Sequence, residues 1–121
     1  MTRRWRDLLA AEYLAAQVLR TAGIQAASSR LVDIDGRRFL EVERSDRMGA
    51  LGRRALHSLS SVEAEFVGDA RSPWPPLATT LAAQGVISPE AAAGAALLYA
   101  FGTLIGNTDM HNGNLSFISE H

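Results

Sequence analysis

The stretch Gly106-Asn107-Thr108-Asp109-Met110-His111-Asn112-Gly113-Asn114-Leu115-Ser116-Phe117 decides how this chain is read. A long uncharged apolar run precedes it, and a short alternating run follows it. Its density of Gly and Asn marks a tight loop. Asp109 and Asn114 stand five residues apart on that loop. The spacing suits two cooperating tasks. A carboxylate accepts the proton of an attacking hydroxyl, and a side-chain amide offers its oxygen to a hard cation.

Phosphoryl transfer asks for that combination. The protein-kinase fold carries an Asp in its catalytic loop and an Asn five residues later. In this reading Asp109 is the catalytic base and Asn114 the magnesium ligand. His111 belongs to the catalytic set as a brace of the loop through hydrogen bonds, rather than as a proton carrier. Two plainer readings stand beside it. Asp109-x-His111 with Asn114 suits a metal held by imidazole and carboxylate, although such sites use three or four ligands. Asn112-Gly113 also suits a simple hairpin turn. No Ser-His-Asp pattern, nucleophile elbow, P-loop or dinucleotide fingerprint occurs.

Composition narrows the classes. The chain has 121 residues, enough for one modest domain or one lobe of a larger one. Its formal net charge is -1, and its arginines are scattered in pairs, so no footprint for nucleic acid forms. All 12 basic residues are Arg, so this chain supplies no phosphate-binding lysine. There is no Cys, hence no disulfide framework and no thiolate zinc site, in keeping with a reducing cytoplasm. Asp7 and Glu12 interrupt the first apolar run and exclude a signal peptide. The uncharged run from 91 to 108 is short and built largely from Ala and Gly, which argues against a membrane span.

Outward from the loop, Ser88-Pro89-Glu90 starts a helix, with an N-cap, a first-turn proline and an acid at the positive end of the dipole. Being apolar all round, that helix is expected to be buried in a core. Leu77 to Gln84 reads as a short helix closed by Gly85, after a proline-rich loop at 69–76. Ser60-Ser61 reads as the cap of a helical turn through Phe66, and Leu56 with Leu59 as a short extended piece. Residues 5–22 form a helix ending at Gly23. At about 100° per residue, Arg6 and Gln17 fall on its polar arc. Trp5, Leu8, Glu12, Ala15, Ala16 and Leu19 fall on its apolar face. Glu12 is then either an edge residue reaching water or a carboxylate turned inward to meet a cation. Asp35-Gly36 between two strand-like runs, 28–34 and 37–45, predicts a hairpin.

Several separated stretches agree with one family. Asn107-Thr108-Asp109-Met110-His111-Asn112-Gly113-Asn114-Leu115-Ser116 resembles the N-x-D-x-H-x-x-N-x-S signature of the HipA-like serine/threonine kinases. The helix with Ala11-Glu12-Tyr13, ending at Ala22-Gly23-Ile24, is similar to that family's E-Y helix. Glu41-Val42-Glu43-Arg44-Ser45-Asp46-Arg47 is similar to its V-E-R-F-D-R strand and hinge, with Ser45 in the place of Phe. The order holds across nearly the whole chain.

The resemblance implies a fold, a function and a set of roles. The fold class is α+β: a kinase-like fold fragment, mainly helical with a short antiparallel hairpin. Residues 1–47 would be part of the small lobe and hinge, and 48–121 the start of the helical large lobe. The cofactors are ATP and Mg2+. Glu12 matches the family's helix glutamate, and Glu43, Arg44 and Asp46 lie in the hinge beside the adenine. Expected partners are a protein substrate and an antitoxin or repressor. No second metal-binding Asp follows Asn114. The expectation is a central piece of such a kinase, inactive by itself, cytoplasmic, and self-associating through exposed apolar surface. Two alternatives remain. One is a small-molecule kinase of the aminoglycoside type, whose D-x-H-x-G-N loop is close to residues 109–114. The other is a non-catalytic interaction module from a degraded or split kinase.

Overall fold

The computed structural model of the chain describes residues 1–44, 47–48 and 52–119. Those residues form four α-helices and short paired strands, an α+β fold. The chain divides into two compact units, Met1–Gly52 and Arg53–His121. Strands β3 (Arg47–Met48) and β4 (Gly52–Arg53) pair where one unit gives way to the other in sequence.

The first unit is a helix on a hairpin. Helix α1 spans Arg3–Thr21, with Thr2 as N-cap, and Gly23 beyond its end adopts a φ of 78°. The Thr2 hydroxyl accepts from the Trp5 N–H at 3.4 Å. Strands β1 (Ser29–Ile34) and β2 (Arg37–Val42) pair antiparallel, with Val32 opposite Phe39. The turn between them places Asp35 at φ 50° and Gly36 at φ 74°, the left-handed pair that matches the twist of a two-residue hairpin. Directly opposed charges lock the register. Arg30 donates twice to Glu41, at 3.1 and 3.0 Å, and Arg38 donates twice to Asp33, at 3.0 and 3.3 Å.

The covered face of α1 departs from the sequence expectation in its first half. Arg6, Leu9, Ala10, Tyr13 and Gln17 are half-buried, whereas Trp5 is 61% and Leu8 46% exposed; further along, Ala15, Ala16 and Leu19 are half-buried as expected. The cause is the arginine. Its guanidinium Nη1 donates to the Gly36 carbonyl at 3.0 Å, so the Arg6 stem lies over the turn and brings its own arc inward.

The second unit holds the core. Leu59, Trp74, Leu77, Ala78, Leu81, Ala95 and Leu115 are buried together. Strand β5 (Ala55–Ser58) pairs antiparallel with β6 (Ser116–Ser119), with His57 opposite Phe117. Helix α2 spans Leu59–Phe66 and is capped by Ser58, not by Ser60-Ser61; the Ser58 hydroxyl accepts from the Ser61 N–H at 3.2 Å. The helix thus starts as soon as the strand ends. Helix α3 spans Trp74–Ala83, three residues earlier than expected, because Pro75 and Pro76 fit a first turn that needs no N–H partners. Helix α4 spans Pro89–Leu104 with Ser88 as its cap.

The expectation that the apolar helix is buried all round fails. Only Ala95 and Gly102 of α4 are buried, while Leu97 is 49% and Leu104 86% exposed. Among the described residues α4 packs chiefly against α3, so one side is covered and the other is not. No described helix is long and apolar enough to cross a membrane.

Two substitutions test the energetics. Glu63 is 4% exposed, and its Oε2 has no hydrogen-bond partner among the described residues. A buried unsatisfied polar group costs about 1–3 kcal/mol, so Glu63→Leu is expected to raise the urea midpoint without changing the denaturant slope. Asp33 behaves differently. The hydrogen bonds from Arg38 hold its carboxyl below the usual carboxylate range. A depressed folded value means stability that is present above about pH 4 and is lost as the pH falls through the folded value. Asp33→Asn is expected to flatten the acid limb of the hairpin unit's unfolding, followed by circular dichroism against pH.

Candidate functional site

The loop that carries Asp109 leaves α4 through a left-handed glycine. Gly106 has a φ of 74°, and the Asn107 N–H donates back to the Gly102 carbonyl at 2.8 Å. The chain therefore turns sharply instead of continuing the helix. The Asn107 side chain then organises the next step: its Oδ1 accepts from the Asp109 N–H at 3.0 Å. That is a side-chain turn of the kind short Asn residues favour.

Residues Asn112–Asn114 form a 3₁₀ turn headed by His111. This excludes the plain two-residue hairpin at Asn112-Gly113, since no strand enters the turn. The His111 ring faces the turn, and its Nδ1 accepts from the Gly113 N–H at 3.1 Å. A Cβ at position 113 would lie 3.0 Å from that ring, so glycine leaves the imidazole its place. The His111 Nε2 is 3.6 Å from Asp109 Oδ1, beyond hydrogen-bond reach.

Asn114 closes the loop on Asp109. Its Nδ2 donates to the Asp109 backbone carbonyl at 2.7 Å. With the nitrogen committed there, the amide oxygen is the end of the side chain that has no hydrogen bond among the described residues. The Asp109 backbone is thus held at its N–H by Asn107 and at its C=O by Asn114. Its carboxylate is 79% exposed on the side chain and accepts no hydrogen bond among the described residues. An anchored backbone with an open carboxylate can take a proton from a group brought to it.

Three braces under the loop come from far away in sequence. The Trp74 indole Nε1 donates to the His111 carbonyl at 3.2 Å. The Trp74 ring meets Tyr99 edge-on, with centroids 5.8 Å apart at 61°. The Asn112 Nδ2 donates to the Ala70 carbonyl at 3.3 Å. The Leu59 N–H donates to the Leu115 carbonyl at 2.8 Å and fixes the exit of the loop. The proline-rich segment read as a bare loop therefore supplies two of these supports. Nothing local in the sequence announces it; Trp74 alone, a large aromatic with a polar tip, was a signal.

The remaining candidates lie in the first unit. Glu12 is exposed and has no cation partner among the described residues, which is the edge position rather than the inward one. Glu43 and Arg44 follow β2. The Glu43 N–H donates to the Ser28 carbonyl at 2.8 Å, extending the hairpin ladder. Glu43 also lines an open cleft of about 450 Å³ with Arg20, Ile24 and Ser28. Asp46, like Ser45, lies outside the described residues. No cluster of three metal-ligating His, Cys, Asp or Glu occurs among the described residues.

The sequence matches the family model described as HipA-like C-terminal domain over residues 2–121. The Escherichia coli (strain K12) protein named Toxin YjjJ is 43% identical over 118 residues, covering 97% of this chain and 26% of that protein. The chain thus spans about a quarter of the length of the curated relative it matches. No solved structure matches the chain.

The indole brace is open to a direct test. Trp74→Phe keeps an aromatic ring but removes the donor to the His111 carbonyl. The expected cost is about 1–3 kcal/mol for the second unit, read as a lower urea midpoint. A midpoint equal to wild type would mean that the indole bond contributes nothing to holding the loop.

Proposed function

The chain belongs to the HipA-like C-terminal domain family, and from that premise we propose that it forms part of an ATP- and magnesium-dependent serine/threonine protein kinase. Asp109 is the base that receives the hydroxyl proton, and Asn114 is a magnesium ligand. One observation carries the reading most. The Asp109 backbone is pinned on both sides while its carboxylate stays open, and the partner that pins its carbonyl is Asn114. One loop thus ties the backbone that carries the base to the side chain that carries the amide oxygen, in keeping with phosphoryl transfer, which depends on positioning and electrostatics.

The residues fit the cofactors in part. The free Asn114 amide oxygen is a hard donor of the kind magnesium prefers. Bound ATP with magnesium supplies the phosphoryl group and the neutralising charge. Asn107 and Asn114 hold Asp109 against displacement, and His111 keeps the turn closed. In this reading Glu43 and Arg44 belong to the hinge beside the adenine, and Glu12, exposed here, would meet a cation supplied from outside this chain, which has no Lys.

The name of the relative supports a toxin role; an antitoxin or repressor as binding partner goes with that role, and a protein as phosphate acceptor goes with the kinase reading. A second reading draws on the absence of lysine from all 121 residues: the chain binds a partner without catalysis.

Transfer of labelled phosphate from ATP to protein, in the whole protein that carries this chain, separates the two. Asp109→Asn is expected to lower kcat by about 10²–10⁴-fold, the usual worth of a positioned general base. Asn114→Ala is expected to raise the magnesium concentration needed for half-maximal rate. The chain by itself is expected to show no transfer. Undiminished transfer by Asp109→Asn would remove the proposed base; absence of transfer by the whole protein would leave the binding reading in first place.

A further inference from the structure

Gly102 lies in the last turns of α4, well before the loop, and no chemistry needs it. Yet it is buried, and it touches the loop twice. Its carbonyl accepts from the Asn107 N–H at 2.8 Å. Its Cα is covered by the Met110 side chain: a Cβ at position 102 would lie 2.5 Å from the Met110 Sδ and 2.6 Å from its Cε. Those separations are well inside van der Waals contact. Met110 is half-buried and packs against the core of the second unit.

The two contacts bracket Asp109. Asn107 stands two residues before it and Met110 one residue after it. Asn107, fixed by Gly102, in turn fixes the Asp109 N–H through its side chain. We infer that Gly102 is a positioning residue for Asp109, acting as a notch that holds the Asn107 backbone on one side and the Met110 thioether on the other. Glycine leaves this space open; a Cβ there would force the flexible end of Met110 to move out of the notch. The thioether suits the task, since a flexible and polarisable chain fills an irregular gap closely. This rests on the reading of Asp109 as the acting carboxylate, but the geometry can be tested without any activity.

The test is amide hydrogen exchange followed by NMR on the full chain, with Gly102→Ala, Met110→Ala and the double variant. In Met110→Ala the Asp109 amide is expected to exchange about tenfold faster or more, as local opening becomes easier. The Leu59 amide, bonded to the Leu115 carbonyl, is expected to keep its wild-type rate. Gly102→Ala is expected to match that pattern, because its Cβ expels the thioether. The double variant is expected to be no worse than either single change, since both remove the same contact.

Wild-type exchange at Asp109 in Met110→Ala, or additive effects in the double variant, would overturn the inference. If Gly102→Ala speeds Leu59 equally, that variant has lost its fold, and Met110→Ala alone decides. A second readout concerns the reaction. Gly102→Ala in the whole protein is expected to lower kcat for phosphotransfer while KM for ATP stays within about twofold, the signature of a misplaced base rather than lost binding. Exchange coupling without phosphotransfer would refute the kinase reading and leave the notch standing; phosphotransfer without exchange coupling would do the reverse.

Discussion

The hydrogen bond from the Leu59 N–H to the Leu115 carbonyl is the constraint on which the second unit closes. Leu59 opens α2 and Leu115 ends the loop, and both side chains are buried in one core. A contact across this sequence separation costs loop-closure entropy, and two buried leucines offset it. Once it forms, β5 and β6 lie in register, because Ser58 and Ser116 are the residues just outside it. The loop between α4 and β6 then has both ends fixed. Its exposed side can carry polar groups without risk to the core.

The local chemistry of the fold was legible in the sequence. Asp35-Gly36 named the hairpin, Ser88-Pro89-Glu90 named the start of α4, and Gly23, Gly85 and Gly106 all adopt the left-handed φ expected after a helix. Each of these signals acts over a few residues. The misjudged features are those that a distant partner decides. The inward face of α1 followed from Arg6 reaching the hairpin turn. The exposure of α4 followed from packing on one side only. The buried carboxylate of Glu63 sits one turn after Leu59 on a short helix, where periodicity gave no warning.

The candidate site divides in the same way. Asp109, His111 and Asn114 were readable because a tight loop brings near neighbours together, and the structure joins them through backbone bonds. The supports from Trp74, Ala70 and Gly102 were not, since the first two lie 37 and 42 residues from the loop atoms they hold. Glu12, Glu43 and Arg44 sit in a different unit from the loop. Their placement in a kinase scheme comes from motif order, which speaks to ancestry more than to distance.

The hydrogen bonds of the 3₁₀ turn also bear on how long this loop lasts. Asn followed by Gly is the pair most prone to spontaneous decay, in which the glycine nitrogen attacks the asparagine side-chain carbonyl and ammonia is lost. Here both participants are held elsewhere. The Gly113 nitrogen points its hydrogen at the His111 imidazole, and the Asn112 amide is tied to the Ala70 carbonyl. Ring closure would require the Asn112 amide to leave the Ala70 carbonyl and swing back to the Gly113 nitrogen. That tether guards the loop against ageing, and keeps a stray negative charge from arising three residues from Asp109.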